Sequence, residues 1–401
     1  MALVDFEFHI DSTGTDHKKL FSEQVKNKCS QYANNIDDCL KSGIAISEDE
    51  FYIYALFEDF NANNPFYSSF KGFKQIATDR KNELGKIYRI EKTISFRYSG
   101  NPKIFITYAG CGVALNVSNR LFNLTQADYI RIPEKPGRPQ KGTVAGKNKT
   151  LDFEYLASDG HRFIQVECKG AEGLNANIDS KIKDILAKKS AQPSGARDVS
   201  FGVIASVPVD PDGNNAKCIF VDPEIADLNV DPVQFRLSAR LRYYGNRLAT
   251  LGNSQWVKKI KQLFRDSNEG GYTTYVNSDF SQNQTLSEFI GIQAQRKLTN
   301  GYYFKCTVIE TNSGRIFGRV QQTYDQTTYY FYGFIENIFD EFEFKTIASL
   351  LEYKVKQQVI EWNGTMRIWD GYLDKNDINL IGTLTVTETG EVSGLLKASQ
   401  G

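Results

Sequence analysis

The segment of residues 150–170, TLDFEYLASDGHRFIQVECKG, alternates apolar and polar side chains on both sides of an Asp-Gly pair. Such a pair between two alternating runs is the strongest short-range signal for a β-hairpin. Pairing outward from this turn places Glu154 opposite Gln165 and Asp152 opposite Glu167. Side chains alternate between the two faces of a strand, so the predicted hairpin has one polar face and one apolar face that belongs in a core. The apolar face carries Leu151, Phe153, Tyr155, Ile164, Val166 and Cys168.

The polar face of the hairpin carries Asp152, Glu154, Gln165, Glu167 and Lys169. Directly opposed side chains lie about 5 Å apart at Cβ, and like charges at that distance are destabilising unless a cation lies between them. Oxygen ligands of this kind favour Mg²⁺ or Mn²⁺ over zinc. Asp152 and Glu167 therefore predict a divalent metal site, with Lys169 placed to contact a water or a phosphate. The alternative is a solvated face on which Lys169 forms a salt bridge with Glu167 and no metal binds.

Patterns around the hairpin predict its neighbouring elements. Apolar spacing predicts helices at residues 17–43, 113–124, 177–191, 232–251 and 255–267. Runs of β-branched and aromatic residues predict strands at 94–98, 103–110, 199–209 and 217–223. Beyond residue 268, short runs of the same kind predict a small sheet or barrel, with one helix within residues 345–358.

Asp152 lies at the head of one predicted strand and Glu167-Cys168-Lys169 at the end of the next, and a helix and a further strand follow. This pattern resembles the PD-(D/E)xK nuclease superfamily. The resemblance covers residues 113–222 and implies an α/β fold with the restriction-endonuclease-like αβββαβ core. It implies that Asp152, Glu167 and the main-chain carbonyl of Cys168 hold Mg²⁺, for which Mn²⁺ can substitute. Lys169 would orient or help to deprotonate the attacking water, with Glu154 and Gln165 as auxiliary residues. Leu151 stands where the family carries its name-giving proline.

The Glu-x-Lys spacing alone has little value, because the chain repeats it at Glu343 with Lys345 and at Glu352 with Lys354. Glu343 even lies in an alternating run, DEFEFK. Neither copy has an acidic residue across a short, defined hairpin. The Asp152 constellation is therefore favoured as the site.

Charge is unevenly distributed, although Lys plus Arg and Asp plus Glu each total 48. Residues 233–265 hold eight basic and no acidic residues, residues 131–149 hold six basic residues and one Glu, and residues 301–401 hold nine basic and thirteen acidic residues. Basic segments suit a nucleic-acid backbone. Contacts to it are predicted from Lys141, Lys147, Lys149, Arg236, Arg240 and Arg247. The alternative is that the basic helical region docks on the acidic C-terminal domain.

The chain of 401 residues is long enough for two or three domains. We predict an N-terminal α+β region (1–100), a nuclease-like domain (101–268) and a β-rich C-terminal domain (269–401). No run approaches the roughly 18 apolar residues of a membrane span, and the N-terminus lacks the order of a signal peptide. Six scattered cysteines without a C-x-x-C pair disfavour zinc and suit a reducing compartment. We expect a cytoplasmic protein with no membrane partner.

The predicted function is that of a Mg²⁺-dependent endonuclease of the restriction or genome-defence type. Double-stranded DNA is the favoured substrate, and the protein would act as a homodimer or with a partner subunit. The β-rich C-terminal domain would select the target or the partner. The main alternative is a nucleic-acid-binding or assembly protein that keeps the nuclease-like fold without cleavage. A third is a protein-interaction module in which the hairpin pattern is a coincidence.

Overall fold

The computed structural model describes the central and C-terminal parts of the chain most fully. The described residues are 6–10, 30–42, 44–46, 89–90, 93–94, 102–131, 152–156, 163–172, 178–190, 199–207, 216–224, 231–251, 254–264, 275–276, 279–291, 307–312, 314–322, 328–370 and 374–399. Among the predicted elements, the Asp159-Gly160 turn, most of the strand 94–98 and the helix 17–43 before Ser30 fall outside them.

The elements within these residues are numbered in chain order. The helices are α1 (Ala33–Ser42), α2 (Pro102–Phe122), α3 (Ile178–Ser190), α4 (Pro232–Thr250), α5 (Ser254–Leu263), α6 (Leu286–Ile290), α7 (Glu336–Phe344) and α8 (Ile347–Glu352). The strands before residue 300 are β1 (Phe6–Ile10), β2 (Ile44–Ile46), β3 (Arg89–Ile90), β4 (Thr93–Ile94), β5 (Tyr129–Arg131), β6 (Phe153–Leu156), β7 (Phe163–Glu172), β8 (Val199–Val207) and β9 (Ala216–Glu224). Those after it are β10 (Thr307–Thr311), β11 (Gly314–Gln322), β12 (Thr328–Ile335), β13 (Gln358–Asp370), β14 (Asp374–Val386) and β15 (Glu391–Ala398).

The larger sheet has the strand order β2-β1-β9-β8-β7-β6-β5. Antiparallel pairing joins β5 to β6 and β6 to β7, while β7 and β8 run parallel and α3 lies between them in sequence. The pairs Glu154 with Gln165 and Leu156 with Phe163 confirm the predicted register of the hairpin. The strand β7 is therefore flanked on both sides and lies inside the sheet.

Helices cover both faces of this sheet. The apolar face of the hairpin, with Phe153, Tyr155 and Val166, packs into one core with the buried side of α2. The opposite face packs against α3 through Ala171 and Ile204. It also packs against α4, through Ile130, Leu156 and Phe163. The result is a three-layer α/β/α arrangement.

The prediction of a strand at residues 103–110 is wrong, because these residues form the first half of α2. The run of β-branched and aromatic residues there is typical of a strand, but periodicity cannot separate a short buried strand from a buried helix. At Gly110, the backbone of α2 approaches the sheet closely. A Cβ atom on it would lie 2.5 Å from Gly170 N and 2.6 Å from the carbonyl carbon of Lys169. The glycine thus serves close packing rather than a strand end.

Other local predictions agree with the structure. The predicted helices around α3, α4 and α5 and the predicted strands around β8 and β9 are confirmed, with shifts of a few residues at their ends. Within the predicted helix 17–43, residues 33–42 are helical. Of the predicted helix at 345–358 only α8 forms, and residues from Gln358 onward belong to β13.

The C-terminal part forms a six-stranded antiparallel sheet of order β10-β11-β12-β15-β14-β13. The strand β13 also contacts β10 and β11, so the sheet curls towards a barrel. The class of the chain is accordingly mixed α/β with two main sheets. One hydrophobic cluster includes Leu241 of α4, Trp256 of α5 and Phe342 of α7, so side chains on both sides of residue 268 share a core. Likewise, β1 pairs with β9 and extends the larger sheet across the predicted boundary at residue 100.

Candidate active site

A strip of polar side chains crosses the larger sheet between two apolar patches. The patch under α4 contains Ile130, Leu156 and Phe163, and the patch under α3 contains Ala171 and Ile204. Strand alternation puts the strip on the same face as both patches. Its members are Asp152, Glu154, Gln165, Glu167 and Lys169. The polar face is therefore enclosed by two helices, and Glu154, Gln165 and Glu167 are buried rather than solvated.

Glu167 is the most enclosed of these residues, with an exposed fraction of 0%. Its Oε1 atom lies 2.8 Å from Nζ of Lys169 and 2.5 Å from Nζ of Lys188. Its Oε2 atom is also buried and has no hydrogen-bond partner among the residues that the structure describes. A buried carboxylate oxygen without a partner is costly, so this atom is a ready acceptor for a proton or a cation.

Asp152 lies directly before β6 and faces β7. Its amide donates a hydrogen bond to the carbonyl of Val166, over 3.1 Å. Its Oδ2 atom accepts a hydrogen bond from the amide of Cys168, over 2.9 Å. The N–H and C=O groups of one strand residue point to the same side, so the Cys168 carbonyl also points towards Asp152. The side chain of Cys168 packs into the core on the other face.

The electrostatics of the site centre on Glu167. Burial, and then the neighbouring charge of Asp152, raise the pKa of Glu167 to about 7, although Lys169 and Lys188 act to lower it. Burial acts to lower the pKa of Lys169, but Glu167 outweighs it, and with Asp184 it holds that pKa above its ordinary value. The Nζ atom of Lys169 lies 2.9 Å from Oδ2 of Asp184. Lys169 is therefore a fixed positive charge between two carboxylates.

Asp184 and Lys188 belong to the site and were not predicted from the sequence. Both lie on α3, four residues apart, and so on the same side of that helix. Ile185, between them, is fully buried against the sheet and directs this side of α3 towards β7. The available signal was the i, i+4 spacing of an acid and a base on the helix that follows Lys169. Sequence alone did not show which side of the helix faces the sheet.

Glu154 extends the strip towards α4. Its Oε1 atom accepts a hydrogen bond from the hydroxyl of Tyr275, over 3.0 Å. Burial lowers the pKa of Arg242 to about 10, although Glu154 and Tyr275 act to raise it. The guanidinium of Arg242 also lies over the ring of Phe264, 4.6 Å from its centroid. Glu154 thus interacts with Tyr275 and with Arg242 of α4.

The structure corrects the expectation that Arg240 and Arg247 contact a nucleic-acid backbone. Both are buried, with exposed fractions of 5% and 2%. Arg240 donates hydrogen bonds to Asp128, over 3.0 Å, and to the carbonyls of Leu350 and Tyr353, each over 2.8 Å. Arg247 lies 3.7 Å from Oε2 of Glu391. Their burial leaves no surface for a phosphate, and the alternative of docking on the C-terminal part is confirmed for these two side chains.

The other four predicted nucleic-acid contacts are not tested by the structure. Arg236 is half-buried beside Asp128, and its role in binding stays a prediction. Lys141, Lys147 and Lys149 lie outside the described residues.

The two other Glu-x-Lys sequences lie outside any strand. Glu343 belongs to α7 and Lys345 follows that helix. Glu352 ends α8, and Lys354 pairs with Glu388 instead. Among the three copies of this spacing, the one at Glu167 lies on a strand.

The donor atoms of the site fit Mg²⁺ or Mn²⁺. The unpaired Oε2 atom of Glu167, the carboxylate of Asp152 and the carbonyl of Cys168 are all oxygens, the ligand type these ions prefer. No group of three or more His, Cys, Asp or Glu residues suited to a metal occurs within the described ranges. The chain would therefore supply two carboxylates and one carbonyl, and water and substrate would complete the ligand set.

No protein-family model matches the chain, and neither does any curated protein or any solved structure. Within the part of the chain that the structure describes, no helix has the length and apolar character needed to cross a membrane.

Proposed function

We propose that this chain is a Mg²⁺-dependent nuclease that hydrolyses phosphodiester bonds at the site formed by Asp152, Glu167 and Lys169. DNA is the favoured substrate. The curled C-terminal sheet, fixed against α4, would select the target or a partner subunit.

The observation that carries this proposal is the state of Glu167. This fully buried carboxylate lies next to a second acid, and two ammonium groups bind one of its oxygens. Its other oxygen has no hydrogen-bond partner within the described parts of the chain. Such clusters of ionisable groups with shifted pKa values are concentrated at functional sites. A purely structural ion pair would satisfy both carboxylate oxygens, because an unsatisfied one lowers stability.

The order of elements also supports the proposal. The helix α2, the three antiparallel strands β5, β6 and β7, the helix α3 and the parallel strand β8 follow one another. This is the αβββαβ order that the resemblance to PD-(D/E)xK nucleases implies. Asp152 lies directly before the second strand of this series, and Glu167 lies on the third.

Each side chain has a distinct role in this chemistry. When bound, Mg²⁺ acts as a Lewis acid that stabilises charge on the scissile phosphate and on the attacking water. Asp152, Glu167 and the Cys168 carbonyl provide its oxygen ligands. Lys169, held between Glu167 and Asp184, keeps a positive charge at the edge of the site and orients the attacking water. Its raised pKa keeps it protonated at neutral pH, which favours this role over that of a general base.

The proposal is tested by cleavage of supercoiled plasmid, linear duplex and single-stranded RNA with Mg²⁺, Mn²⁺ or EDTA. The wild-type chain is compared with Asp152→Ala and Lys169→Ala, and with Lys354→Ala as a control from a second Glu-x-Lys sequence. We expect metal-dependent cleavage that both site variants abolish and the control retains. Cleavage that survives both site variants would rule out this site.

The second candidate function is a nucleic-acid-binding protein that keeps the fold without cleavage. The observation in its favour is Lys188, whose ammonium already lies 2.5 Å from Glu167 and can neutralise that carboxylate without a metal. This candidate predicts nucleic-acid binding that is independent of Mg²⁺, with no cleavage under any metal.

A further inference from the structure

Lys188 places a second ammonium group on Oε1 of Glu167, beside the Oε2 atom at which a metal ion would bind. Its side chain is 13% exposed, and its Nζ atom shares Oε1 of Glu167 with Lys169. Lys169 also has Asp184 as a partner, 2.9 Å away. Glu167 thus holds one ammonium group more than a simple ion pair requires.

The packing of α3 fixes Lys188 at this place. Ile185 lies against Gly202 of β8, where a Cβ atom would come within 2.5 Å of the Ile185 side chain. The absence of a side chain at Gly202 lets α3 approach the sheet closely. Lys188 lies three residues after Ile185, one turn further along the same side of the helix.

The positive charge of Lys188 opposes the binding of a divalent cation at Glu167. Two positive charges within a few ångströms of each other in a partly buried site repel each other strongly, because the effective dielectric there is much lower than in water. An ion that binds Glu167 must therefore displace the Lys188 ammonium or bind more weakly beside it.

We propose that Lys188 is a positioning residue that neutralises Glu167 in the metal-free protein and weakens metal binding at the site. This inference rests on the proposed metal site. Lys188 sets the concentration of divalent cation that the site requires, and its ammonium is released towards solvent when the ion binds.

Binding of Mn²⁺ tests the proposal without nucleic acid. Free Mn²⁺ is counted by electron paramagnetic resonance during titration of the wild-type chain, Lys188→Met and Lys188→Arg. Lys183→Met, on the exposed side of the same helix, is the control. We expect Lys188→Met to bind Mn²⁺ at least tenfold more tightly than wild type, and Lys188→Arg and the control to resemble wild type. Circular dichroism of each variant establishes that it is folded.

Two results would overturn the proposal. Equal or weaker Mn²⁺ binding by a folded Lys188→Met would give Lys188 a structural role only, and nuclease activity that requires Asp152 and Lys169 would then still support the proposed function. Absence of Mn²⁺ binding in every variant would remove the metal site and with it both proposals.

Discussion

At the scale of single residues, Glu167 is the centre of the proposed metal site. The hairpin pattern predicted that it would share a face with Asp152 and Lys169, and the described strands agree. What the pattern could not predict is the burial of that face, because the covering helices come from distant segments. Burial is the first cause of the raised pKa of Glu167, so the property that most suggests function depends on tertiary packing.

This raised pKa predicts a dependence of stability on pH. Glu167 titrates at about 7 in the folded chain, above the ordinary value of 4.5, so between these limits the folded state binds more protons than the unfolded state. The free energy of unfolding contributed by Glu167 therefore falls as pH rises from about 4.5 to about 7. Urea denaturation of wild type and Glu167→Gln, in EDTA at several pH values, measures this change in the free energy of unfolding. We expect a smaller fall in the variant across this window, and an equal fall in both proteins would contradict the assignment.

At the scale of elements, short sequence patterns predicted the helices and strands whose structure depends mainly on nearby residues. Alternation around Asp159-Gly160 predicted the register of β6 and β7, and apolar spacing predicted α3 and α4. The first half of α2 was wrongly predicted as a strand, because its composition is strand-like and periodicity cannot separate a short apolar strand from a helix. Asp184 and Lys188 were missed because the orientation of α3 depends on Ile185 and Gly202.

The close approach of α2 to the sheet at Gly110 and that of α3 at Gly202 predict different effects for two glycine substitutions. In Gly110→Ala the new methyl group meets main-chain atoms of Lys169 and Gly170, which cannot move without shifting the site. In Gly202→Ala it meets only the side chain of Ile185. We expect Gly110→Ala to lower the free energy of unfolding by about 1–3 kcal/mol or more, and Ile185→Ala to rescue Gly202→Ala in part. Chemical denaturation measures both, and a neutral Gly110→Ala would contradict the close approach.

At the scale of the whole molecule, two buried arginines of α4, Arg240 and Arg247, join this helix to the C-terminal part. Burial acts to raise the pKa of Asp128, but Arg240, Arg236 and the hydrogen bonds from Thr125 together hold that pKa below its ordinary value. Arg240 also binds the carbonyls of Leu350 and Tyr353. The basic composition of α4 was visible in the sequence, but its use in this contact, rather than at a nucleic-acid backbone, required the tertiary structure.

This junction predicts a large loss of stability in Arg240→Met. The substitution leaves the Asp128 carboxylate buried without its guanidinium, and removing one partner of a buried pair costs about 3–5 kcal/mol. Arg367→Met is the control, since Arg367 and Asp377 form an exposed pair whose loss should leave stability nearly unchanged. Thermal and urea denaturation compare the two. A stability of Arg240→Met close to that of wild type would show that the junction does not depend on this pair.

The measurement that tests the central claim most directly is the rate of plasmid cleavage by Asp152→Asn in Mg²⁺. The asparagine keeps the size of the side chain and an oxygen that can accept from the Cys168 amide, but it removes the charge that would bind the metal. We predict a loss of cleavage of at least a hundredfold, with a melting temperature in EDTA that is unchanged or raised. Cleavage at the wild-type rate by the folded variant would contradict the assignment of this site.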